Sequence, residues 1–536
     1  MTWLRVRLAR KVSGQPWFLA IDLGTGGPKT GAVSLNGDLL GKNLGSVQTR
    51  YLHDGGAVQD TSEWWSHIRD GVRSLIDSRV ADPADLAGVG ITGQWGSTVP
   101  VGADGVAVSD CRLWSDTRGA RFSSKVMGGP ISFFGYSPRN IVRWIQVTGG
   151  APSPNGADPL GHELYLRNCE PDVYTRTHAL LEPLDYLGLL FTGRTAATPA
   201  SMILSWLTDN RPGAPVEYVP ALVARSGRDR ARLPKLLPTG SVLGGILPRV
   251  ADELGVPAGV PVVAGVPDLH TAFIGSGAVA PFEAHLTIST TAWIGCEVPF
   301  KRSDVIHQMA SVPGLRPGAY LVANNHETAG LCLQWLRDSI IGPDDGLAEP
   351  WTPAYDDLMT VAATAPAGAG GVIFTPWLKG ERTPVEDRTL RGAFLNVSLT
   401  TDRPRIIRAV LEGVAFNARW LLDAVEGFVR RPLPALRILG GGASSDLWCQ
   451  IHADVLGRRI ERVAEPTYAN LRGAALFAAM SLGKITLDDV RSLVRVTTTF
   501  EPDPDARATY EPMYAEFKRL YGQLHGVYAR LNERKD

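Results

Sequence analysis

Apolar and polar positions along the chain switch between a strand-like and a helix-like pattern. The apolar run WFLAI at 17–21 predicts a buried strand. Two further strand-like runs, 30–35 and 38–42, are separated by Asn36-Gly37. Asn-Gly between such runs is a strong signal for a β-hairpin. The chain is therefore predicted to open with an antiparallel meander.

A helix and another strand are predicted next. Asp60 followed by Glu63 matches a capping box at a helix start. Apolar residues then recur at helical spacing, at Trp64, Ile68, Val72, Leu75 and Ile76. A strand is predicted at 87–92, so the alternation is typical of layered α/β domains. Segments rich in Pro, Gly and polar residues at 151–159 and 210–220 predict surface loops.

The second half of the chain repeats this alternation. The run 286–293 predicts a strand that ends in the hydroxyl residues Ser289, Thr290 and Thr291. A long amphipathic helix is predicted over 406–425, and a strand at 436–439 leads into a glycine triplet at 440–442. A second α/β domain follows from this pattern.

Composition narrows the class of protein. A chain of 536 residues exceeds the size at which one core stops growing, so two large domains are expected. Lys+Arg and Asp+Glu are both 54, and no basic run of the kind that tracks nucleic acid is present, so no nucleic acid partner is expected. The five cysteines are scattered without a CxxC pair, which argues against a zinc cage or a disulfide framework and favours reduced thiols.

The amino-terminal residues do not resemble a secretion signal. Residues 1–16 carry four basic side chains without an apolar segment, and no run reaches eighteen apolar residues. We expect a cytoplasmic protein with a disordered basic leader at 1–16 and no membrane partner.

Two aspartates that follow apolar runs are the candidate chemistry. Asp22 enters the glycine loop 22–29, and Asp268 follows the apolar run 260–266 and precedes a glycine turn at 275–277. Glycines expose backbone N–H groups to phosphate oxygens, and Thr25 adds a hydroxyl donor. Mg²⁺ needs only one or two carboxylates when phosphates supply other ligands. The pattern predicts a split site for Mg²⁺ and a polyphosphate, with an ordinary hairpin and a helix-capping aspartate as the alternatives.

The second half adds two candidate ligand loops. The hydroxyl cluster 289–291 can hold phosphate oxygens, or it can belong to an edge strand rich in Ser and Thr. The triplet 440–442 would let a base or ribose lie against bare backbone, or it is a plain strand-to-helix connection.

Eight segments together resemble the FGGY carbohydrate kinases, which share an actin-like ATPase core, and within them most resemble the xylulose kinases. They occur in family order between about 17 and 483: IDLGT at 21–25, GITGQ at 90–94, LWSDTR at 113–118, EPDVY at 170–174, GERTP at 380–384, RGAF at 391–394, LEGVAF at 411–416 and GGGA at 440–443.

The resemblance implies an α/β fold of two actin-like (ribonuclease H-like) domains with an interdomain catalytic cleft. It implies a sugar-binding domain at 17–277, a nucleotide-binding domain at 278–500 and a helical extension at 501–536. It also implies ATP and Mg²⁺ as cofactors, and a small sugar as the second partner. A homodimer is left open.

The family pattern also assigns roles to particular residues. Asp268 is the expected general base and contacts both substrate and metal, and Asp22 is the second metal ligand. The expected ATP-binding residues are Thr25, Lys29, Thr290, Gly441, Gly442, Ala443 and Asp446. The expected sugar-binding residues, besides Asp268, are Gln94, Trp95, Gly96 and Asp116.

Departures from the family fall at the sugar end. Gly96 stands where similar xylulose kinases carry a histidine, and Leu269 stands where they carry an asparagine. Trp95 either stacks on a sugar face or fills the lost volume. His270 and the segment 324–327 (NNHE) are candidates for replacement contacts.

The function expected from the resemblance is ATP-dependent phosphorylation of a small sugar, with D-xylulose to xylulose 5-phosphate as the best candidate. Ribulose, glycerol and erythritol-like polyols are alternative substrates. A non-kinase actin-like ATPase module is the rival class, and such a module would need neither the 380–384 segment nor Gln94 and Asp116.

Overall fold

The computed structural model describes residues 14–132, 135–343, 345–346 and 351–532. Most of the predicted leader, 1–16, lies outside these described residues. None of the described helices combines the length and the apolar character needed to cross a membrane.

The chain forms two compact units. The first contains the residues up to Gly275 together with Pro313–Gly318 and Asn470–Leu493, and the second contains Ser276–Val312, Ala319–Ala469 and the chain from Val494 onward. Both units are therefore discontinuous in sequence, whereas the predicted family domains are continuous. The domain boundaries at 277 and 500 stay predictions.

The first unit is built from short and long strands with helices between them. Its strands are β1 (Trp17–Gly24), β2 (Gly27–Ser34), β3 (Leu39–Leu44), β4 (Arg50–Tyr51), β5 (Ala57–Gln59), β6 (Leu86–Gly93), β7 (Val99–Val101), β8 (Cys111–Arg112), β9 (Ala179–Leu181), β10 (Ala196–Ala197), β11 (Lys235–Leu236), β12 (Val242–Gly245), β13 (Pro261–Val263) and β14 (Val266–Pro267). The helices of this part of the chain are α1 (Thr61–Asp77), α2 (Ala120–Met127), α3 (Pro138–Thr148), α4 (Pro159–Cys169), α5 (Pro171–Arg176), α6 (Pro183–Thr192), α7 (Pro220–Ser226), α8 (Pro248–Leu254) and α9 (Asp268–Ser276).

The later part of the chain forms most of the second unit. Its strands are β15 (Ala284–Ile288), β16 (Ala292–Val298), β17 (Ser303–Asp304), β18 (Met309–Pro313), β19 (Tyr320–Ala323), β20 (Ile373–Thr375), β21 (Ala393–Leu395), β22 (Ala435–Leu439), β23 (Arg459–Val463) and β24 (Val496–Phe500). Its helices are α10 (Gly330–Leu336), α11 (Tyr355–Ala363), α12 (Arg403–Val429), α13 (Asp446–Leu456), α14 (Ala469–Ser481), α15 (Val490–Leu493) and α16 (Pro504–Asn532). Of these, α15 and all of α14 after Ala469 belong to the first unit.

The main sheet of the first unit has the strand order β12-β13-β6-β1-β2-β3, and β14 also pairs with β6. Strands β1, β2 and β3 are antiparallel, and β6 runs parallel to β1 and β13. The predicted Asn36-Gly37 hairpin is confirmed, because β2 and β3 pair on either side of it. Asp60 caps α1 as predicted, since its side chain accepts a hydrogen bond from the Ser62 amide at 2.8 Å.

The main sheet of the second unit has the order β17-β18-β19-β16-β15-β22-β23-β24. Its central strand β15 has an antiparallel neighbour, β16, on one side and a parallel neighbour, β22, on the other. Strand β1 has the same two kinds of neighbour in the first unit. The predicted repetition of one α/β pattern in the two halves of the chain is confirmed.

The long predicted helix is present and lies in the hydrophobic core of the second unit. Helix α12 exceeds the predicted range 406–425 at both ends, and it is buried along most of its length. The residues predicted for its apolar face are all buried: Ile407, Val410, Leu411, Val414, Ala418, Leu421 and Leu422.

The predicted continuous strand 286–293 is wrong. Strand β15 ends at Ile288 and β16 begins at Ala292, and these two residues pair across a turn. Ser289, Thr290 and Thr291 form that turn, and the Ser289 amide donates to the Thr291 carbonyl at 2.9 Å. Hydroxyl residues with β-branched side chains also suit a strand, so their sequence alone did not indicate the reversal.

Candidate active site

The first glycine loop is a tight hairpin between β1 and β2. Gly24 pairs with Gly27, so Thr25 and Gly26 form a two-residue turn. Gly27 has a φ of +131°, and a Cβ there would lie 2.3 Å from the Gly45 carbonyl oxygen. The loop therefore has the hairpin geometry given as the alternative, and Thr25 lies at the end of the sheet. Its contact with phosphate stays a prediction.

Asp22 and Asp268 flank the carboxyl end of the same strand. On β6, Thr92 pairs with Asp22 of β1 on one side and with Val266 of β14 on the other. Asp268 follows two residues after Val266, at the first position of α9. Neighbouring strands lie about 4.8 Å apart, so β1 and β14 are separated by two strand spacings. The structure thus brings the two predicted carboxylates to one edge of one sheet.

The charges at this edge are coupled. The Asp22 side chain is only 3% exposed, and Lys29 Nζ lies 2.9 Å from its Oδ2. Burial raises the pKa of Asp268 to about 7, and the negative charge of Asp22 adds to the rise. A carboxylate with a pKa near neutrality is well matched to accepting a proton from a substrate.

Gln94 is joined to the hairpin. Its amide donates to the Leu23 carbonyl at 2.9 Å, and its side-chain carbonyl accepts a hydrogen bond from Thr25 Oγ1 at 3.1 Å. Trp114 Nε1 also donates to Thr25 Oγ1, at 3.3 Å. A residue predicted for phosphate and one predicted for sugar therefore lie in direct contact.

A buried acidic side chain, that of Glu182, accepts hydrogen bonds from the backbone of the loop after Gln94. Glu182 Oε1 accepts from the Gly96 amide and Oε2 from the Ser97 amide, each at 3.2 Å. Gly96 has a φ of +77°, and a Cβ there would lie 2.9 Å from Leu204 Cδ1. Trp95, between these anchored neighbours, is partly exposed. Glu182 is not among the predicted site residues. Its position within the apolar stretch 179–191 was a sequence signal that its side chain is buried.

Asp116 is buried and has partners on both carboxylate oxygens. Arg118 Nη2 lies 2.7 Å from Oδ2, and the Ala57 amide donates to the same oxygen at 3.1 Å. The Arg118 amide donates to Oδ1 at 3.1 Å. Burial opposes ionisation, yet the hydrogen bonds and charge of Arg118 hold the pKa of Asp116 below its ordinary value. Its predicted contact with sugar stays a prediction.

In the second unit the glycine triplet packs against the hydroxyl turn. Gly440 has a φ of +93°, and a Cβ there would lie 2.3 Å from the Ile288 carbonyl oxygen. A Cβ on Gly442 would lie 2.6 Å from Ile288 Cγ2. Because Ile288 immediately precedes Ser289, the predicted nucleotide loops at 289–291 and 440–443 are neighbours.

Gly441 differs from the glycines beside it. A Cβ added to Gly441 would meet no heavy atom of the described residues within 4 Å, its chain neighbours apart. Ala443 is buried, whereas Thr290 is exposed at the turn. Asp446 begins α13, forms an ion pair with Arg462 and keeps 74% of its side chain exposed.

The candidate replacement contacts have structural partners. His270 is buried, and its Nε2 lies 2.9 Å from the Pro313 carbonyl oxygen. The Asn324 side chain bridges the backbone of Ile294, with contacts of 3.0 and 2.7 Å. Glu327 pairs with Arg382 and Arg388 at 3.0 Å each. These contacts favour a structural role for all three.

Two repeated α/β domains with glycine loops and strand-end carboxylates define the class of the actin-like phosphotransferases. The sequence matches two protein-family models: the N-terminal domain of the FGGY family of carbohydrate kinases over residues 17–130, and the C-terminal domain of that family over residues 298–482. The chain belongs to the FGGY family of carbohydrate kinases. It is a sugar kinase, as predicted, and the rival reading as a non-kinase ATPase module is set aside.

Relatives of known name share this family over nearly the whole chain. A xylulose kinase from Staphylococcus epidermidis is 27% identical over 526 residues, which cover 96% of this chain and 98% of that protein. An L-xylulose/3-keto-L-gulonate kinase from Escherichia coli is 24% identical over 522 residues, 96% of this chain and 99% of its own.

A solved structure confirms the fold class. A gluconate kinase from Lactobacillus acidophilus superposes with a TM-score of 0.81 at 20% identity, covering 96% of this chain and all of its own. FGGY sugar kinases have two actin-like domains, and this chain has the same fold.

Proposed function

We propose that this enzyme transfers the γ-phosphoryl group of ATP to a hydroxyl of a small open-chain sugar, with D-xylulose as the first candidate and xylulose 5-phosphate as its product. The observation that carries the proposal is Asp268, a carboxylate of raised pKa beside Asp22 at the strand-end edge of the first unit. The name of the Staphylococcus epidermidis relative supports the choice of sugar.

Asp268 acts as the general base. The sugar hydroxyl oxygen forms a bond to the γ-phosphorus while the bond from that phosphorus to the β–γ bridging oxygen breaks, and ADP leaves. The hydroxyl proton passes to a carboxylate oxygen of Asp268. Because phosphoryl transfer is loose, positioning of the two oxygens in line contributes more than activation of the nucleophile.

The residues at this edge fit a magnesium ion. Carboxylate oxygens are the ligands that Mg²⁺ prefers, and Asp22 and Asp268 supply them from the ends of the two strands that flank β6. When bound, Mg²⁺ would neutralise charge on the phosphate oxygens. Lys29 forms an ion pair of 2.9 Å with Asp22 and is proposed to add a positive charge near the phosphates.

Exposed hydroxyls and bare backbone are the proposed nucleotide contacts. Thr25 offers its hydroxyl at the hairpin of the first unit, and Thr290 offers an exposed hydroxyl in the second. The backbone of Gly441 is proposed to lie against the adenosine, because an added Cβ there would meet no heavy atom of the described residues within 4 Å beyond its chain neighbours. Gly442, Ala443 and Asp446 are proposed contacts in the same part of the chain. Bare backbone is well suited to contact a flat base.

The choice among sugars rests on the loop 94–96. Gly96 carries no side chain where similar xylulose kinases carry a histidine, so recognition there depends on Gln94 and the ring of Trp95. Ribulose, glycerol and erythritol-like polyols are the alternatives. A cytoplasmic location and a homodimer stay predictions from the sequence.

A screen of ADP release tests the proposal. Pentuloses, hexuloses, aldonic acids and polyols are offered with ATP and Mg²⁺, and phosphorus NMR of the product identifies the esterified carbon. We expect the highest kcat/KM with D-xylulose and a product phosphorylated at carbon 5. A higher kcat/KM with another compound would replace the sugar, and ADP release that no acceptor stimulates would contradict the proposal.

A further inference from the structure

Glu182 is a buried carboxylate that the mechanism above does not use. It lies between β9 and α6 and is only 2% exposed. Its two oxygens accept hydrogen bonds from two consecutive backbone amides, those of Gly96 and Ser97, each at 3.2 Å. Burial raises the pKa of Glu182 well above its ordinary value, and the neighbouring Asp185 adds to the rise. The two amides are fixed by the geometry of their hydrogen bonds to one buried side chain, because a buried polar group that loses its partner costs free energy.

The anchored loop continues into the candidate active site. Ser97 Oγ accepts a hydrogen bond from the Trp114 amide at 3.0 Å. Trp114 Nε1 then donates to Thr25 Oγ1 at 3.3 Å, and Thr25 in turn bonds Gln94. A series of hydrogen bonds therefore connects Glu182, through Ser97 and Trp114, with Thr25 in the β1–β2 hairpin.

Trp95 is fixed from both sides by this arrangement. The backbone of Gln94 is held by the Leu23 carbonyl, and that of Gly96 is held by Glu182. Gly96 contributes no side chain, so the carboxylate holds the loop through its amides alone. The Trp95 ring remains partly exposed, and an aromatic face can stack on the C–H face of a polyol.

We propose that Glu182 is a positioning residue for sugar recognition: it fixes the backbone of Gly96 and Ser97 and thereby presents the ring of Trp95 to the sugar. This inference rests on the proposed function, because it takes the loop 94–96 to be the sugar-binding loop. The recognised feature is the apolar face of a small polyhydroxylated chain.

The first test is Glu182→Gln. A glutamine side chain has an acceptor oxygen at one of the two positions and an NH₂ donor at the other, so the Gly96 and Ser97 amides cannot both keep their present contacts. We expect the KM for the best sugar of the screen to rise about tenfold, the effect of one lost buried hydrogen bond, while the KM for ATP changes less than about twofold. Glu412→Gln is the matched control, because Glu412 is a buried carboxylate of the second unit that accepts from the Gly368 amide at 3.0 Å. It should lower the thermal midpoint and leave the sugar KM unchanged.

The second test separates positioning from general stability. In a Trp95→Leu background, Glu182→Gln should raise the sugar KM no further, because its effect passes through the tryptophan. Glu182→Asp keeps the carboxyl group but is one methylene shorter and withdraws it from the two amides, so it should raise the sugar KM in the same direction, and it carries the test if Glu182→Gln does not fold.

Three results would overturn the inference: an unchanged sugar KM in folded Glu182→Gln, equal rises in the KM for sugar and for ATP, or full additivity with Trp95→Leu. An unaltered enzyme whose ADP release no sugar stimulates would instead contradict the proposed function itself.

Discussion

Thr25 and Gln94 are linked by a hydrogen bond from the threonine hydroxyl to the side-chain carbonyl of the glutamine, with 3.1 Å between the two oxygens. Thr25 forms the tip of the β1–β2 hairpin, and Gln94 follows β6. One contact thus connects the residue proposed for phosphate with the first residue of the loop proposed for sugar.

Removal of this hydroxyl should therefore affect both substrates. In Thr25→Val we expect kcat/KM for sugar and for ATP to fall about three- to tenfold, the range of one lost hydrogen bond. Thr25→Ser keeps the hydroxyl and should stay close to the unaltered enzyme. Steady-state kinetics with each substrate varied in turn make the measurement, and a loss confined to ATP would show that the contact with Gln94 is without consequence for the sugar.

Gly441 allows a clean test of the nucleotide loop. An added Cβ at 441 meets no heavy atom of the described residues within 4 Å beyond its chain neighbours, so we expect Gly441→Val to fold normally and still weaken ATP binding about tenfold or more through a clash with the nucleotide. Gly427→Val, on α12 with equal space around it, is the control. Calorimetry that finds the same ATP affinity in both variants would place the adenosine elsewhere.

Restoring the histidine of similar xylulose kinases at position 96 should fail. Gly96 has a φ of +77°, and a Cβ would lie 2.9 Å from Leu204 Cδ1. We expect Gly96→His to lose on the order of 2 kcal/mol of stability from the left-handed backbone alone and to bind sugar more weakly. Gly522→His, at an open position of α16, is the control for the thermal midpoint. A stable Gly96→His enzyme with improved sugar binding would show that the loop adapts.

A buried histidine makes the second unit sensitive to acid. Burial lowers the pKa of His285 to about 3, and neither ring nitrogen has a hydrogen-bond partner among the described residues. In the unfolded chain the His285 ring takes up a proton near pH 6.5, whereas in the folded protein it stays neutral until about pH 3. The free energy of unfolding is therefore highest above pH 6.5. It decreases as the pH falls toward 3, by up to about 1.4 kcal/mol per pH unit.

His285→Leu should therefore weaken the dependence of the urea midpoint on pH between 6.5 and 4.5. Leu286→Ala, on the same strand, removes buried apolar volume and no titratable group, so it should lower the urea midpoint without altering that dependence. Equal pH dependence in the unaltered enzyme and His285→Leu would mean that the ring is protonated in the folded state.

Local sequence signals accounted for the elements whose geometry is set locally. Asn36-Gly37 specified its hairpin because two residues decide the turn type, and the apolar runs before Asp22 and Asp268 marked the strand ends that carry them. The turn at Ser289 was missed because its residues suit a strand. A Cβ on Gly330 would lie 2.5 Å from the Ser289 carbonyl oxygen, and this close approach involves a residue far along the chain.

Contacts between distant segments were beyond local signals. Glu182 lies 86 positions after Gly96, so no local spacing indicated that one holds the other. Asp116 resembles a family sugar ligand in sequence, and only the structure shows that Arg118 bonds both of its oxygens and that the Ala57 amide bonds one of them.

The kinetics of Asp268→Asn test the central claim most directly. Asn keeps the shape of the side chain but cannot accept the proton, so we expect kcat to fall about 10²- to 10⁴-fold with ATP affinity, measured by calorimetry, nearly unchanged. Asp60→Asn, at the cap of α1 in the same unit, is the control and should keep full activity. An Asp268→Asn enzyme that retains more than about a tenth of the unaltered turnover would contradict the account, since that loss is far below a general-base contribution.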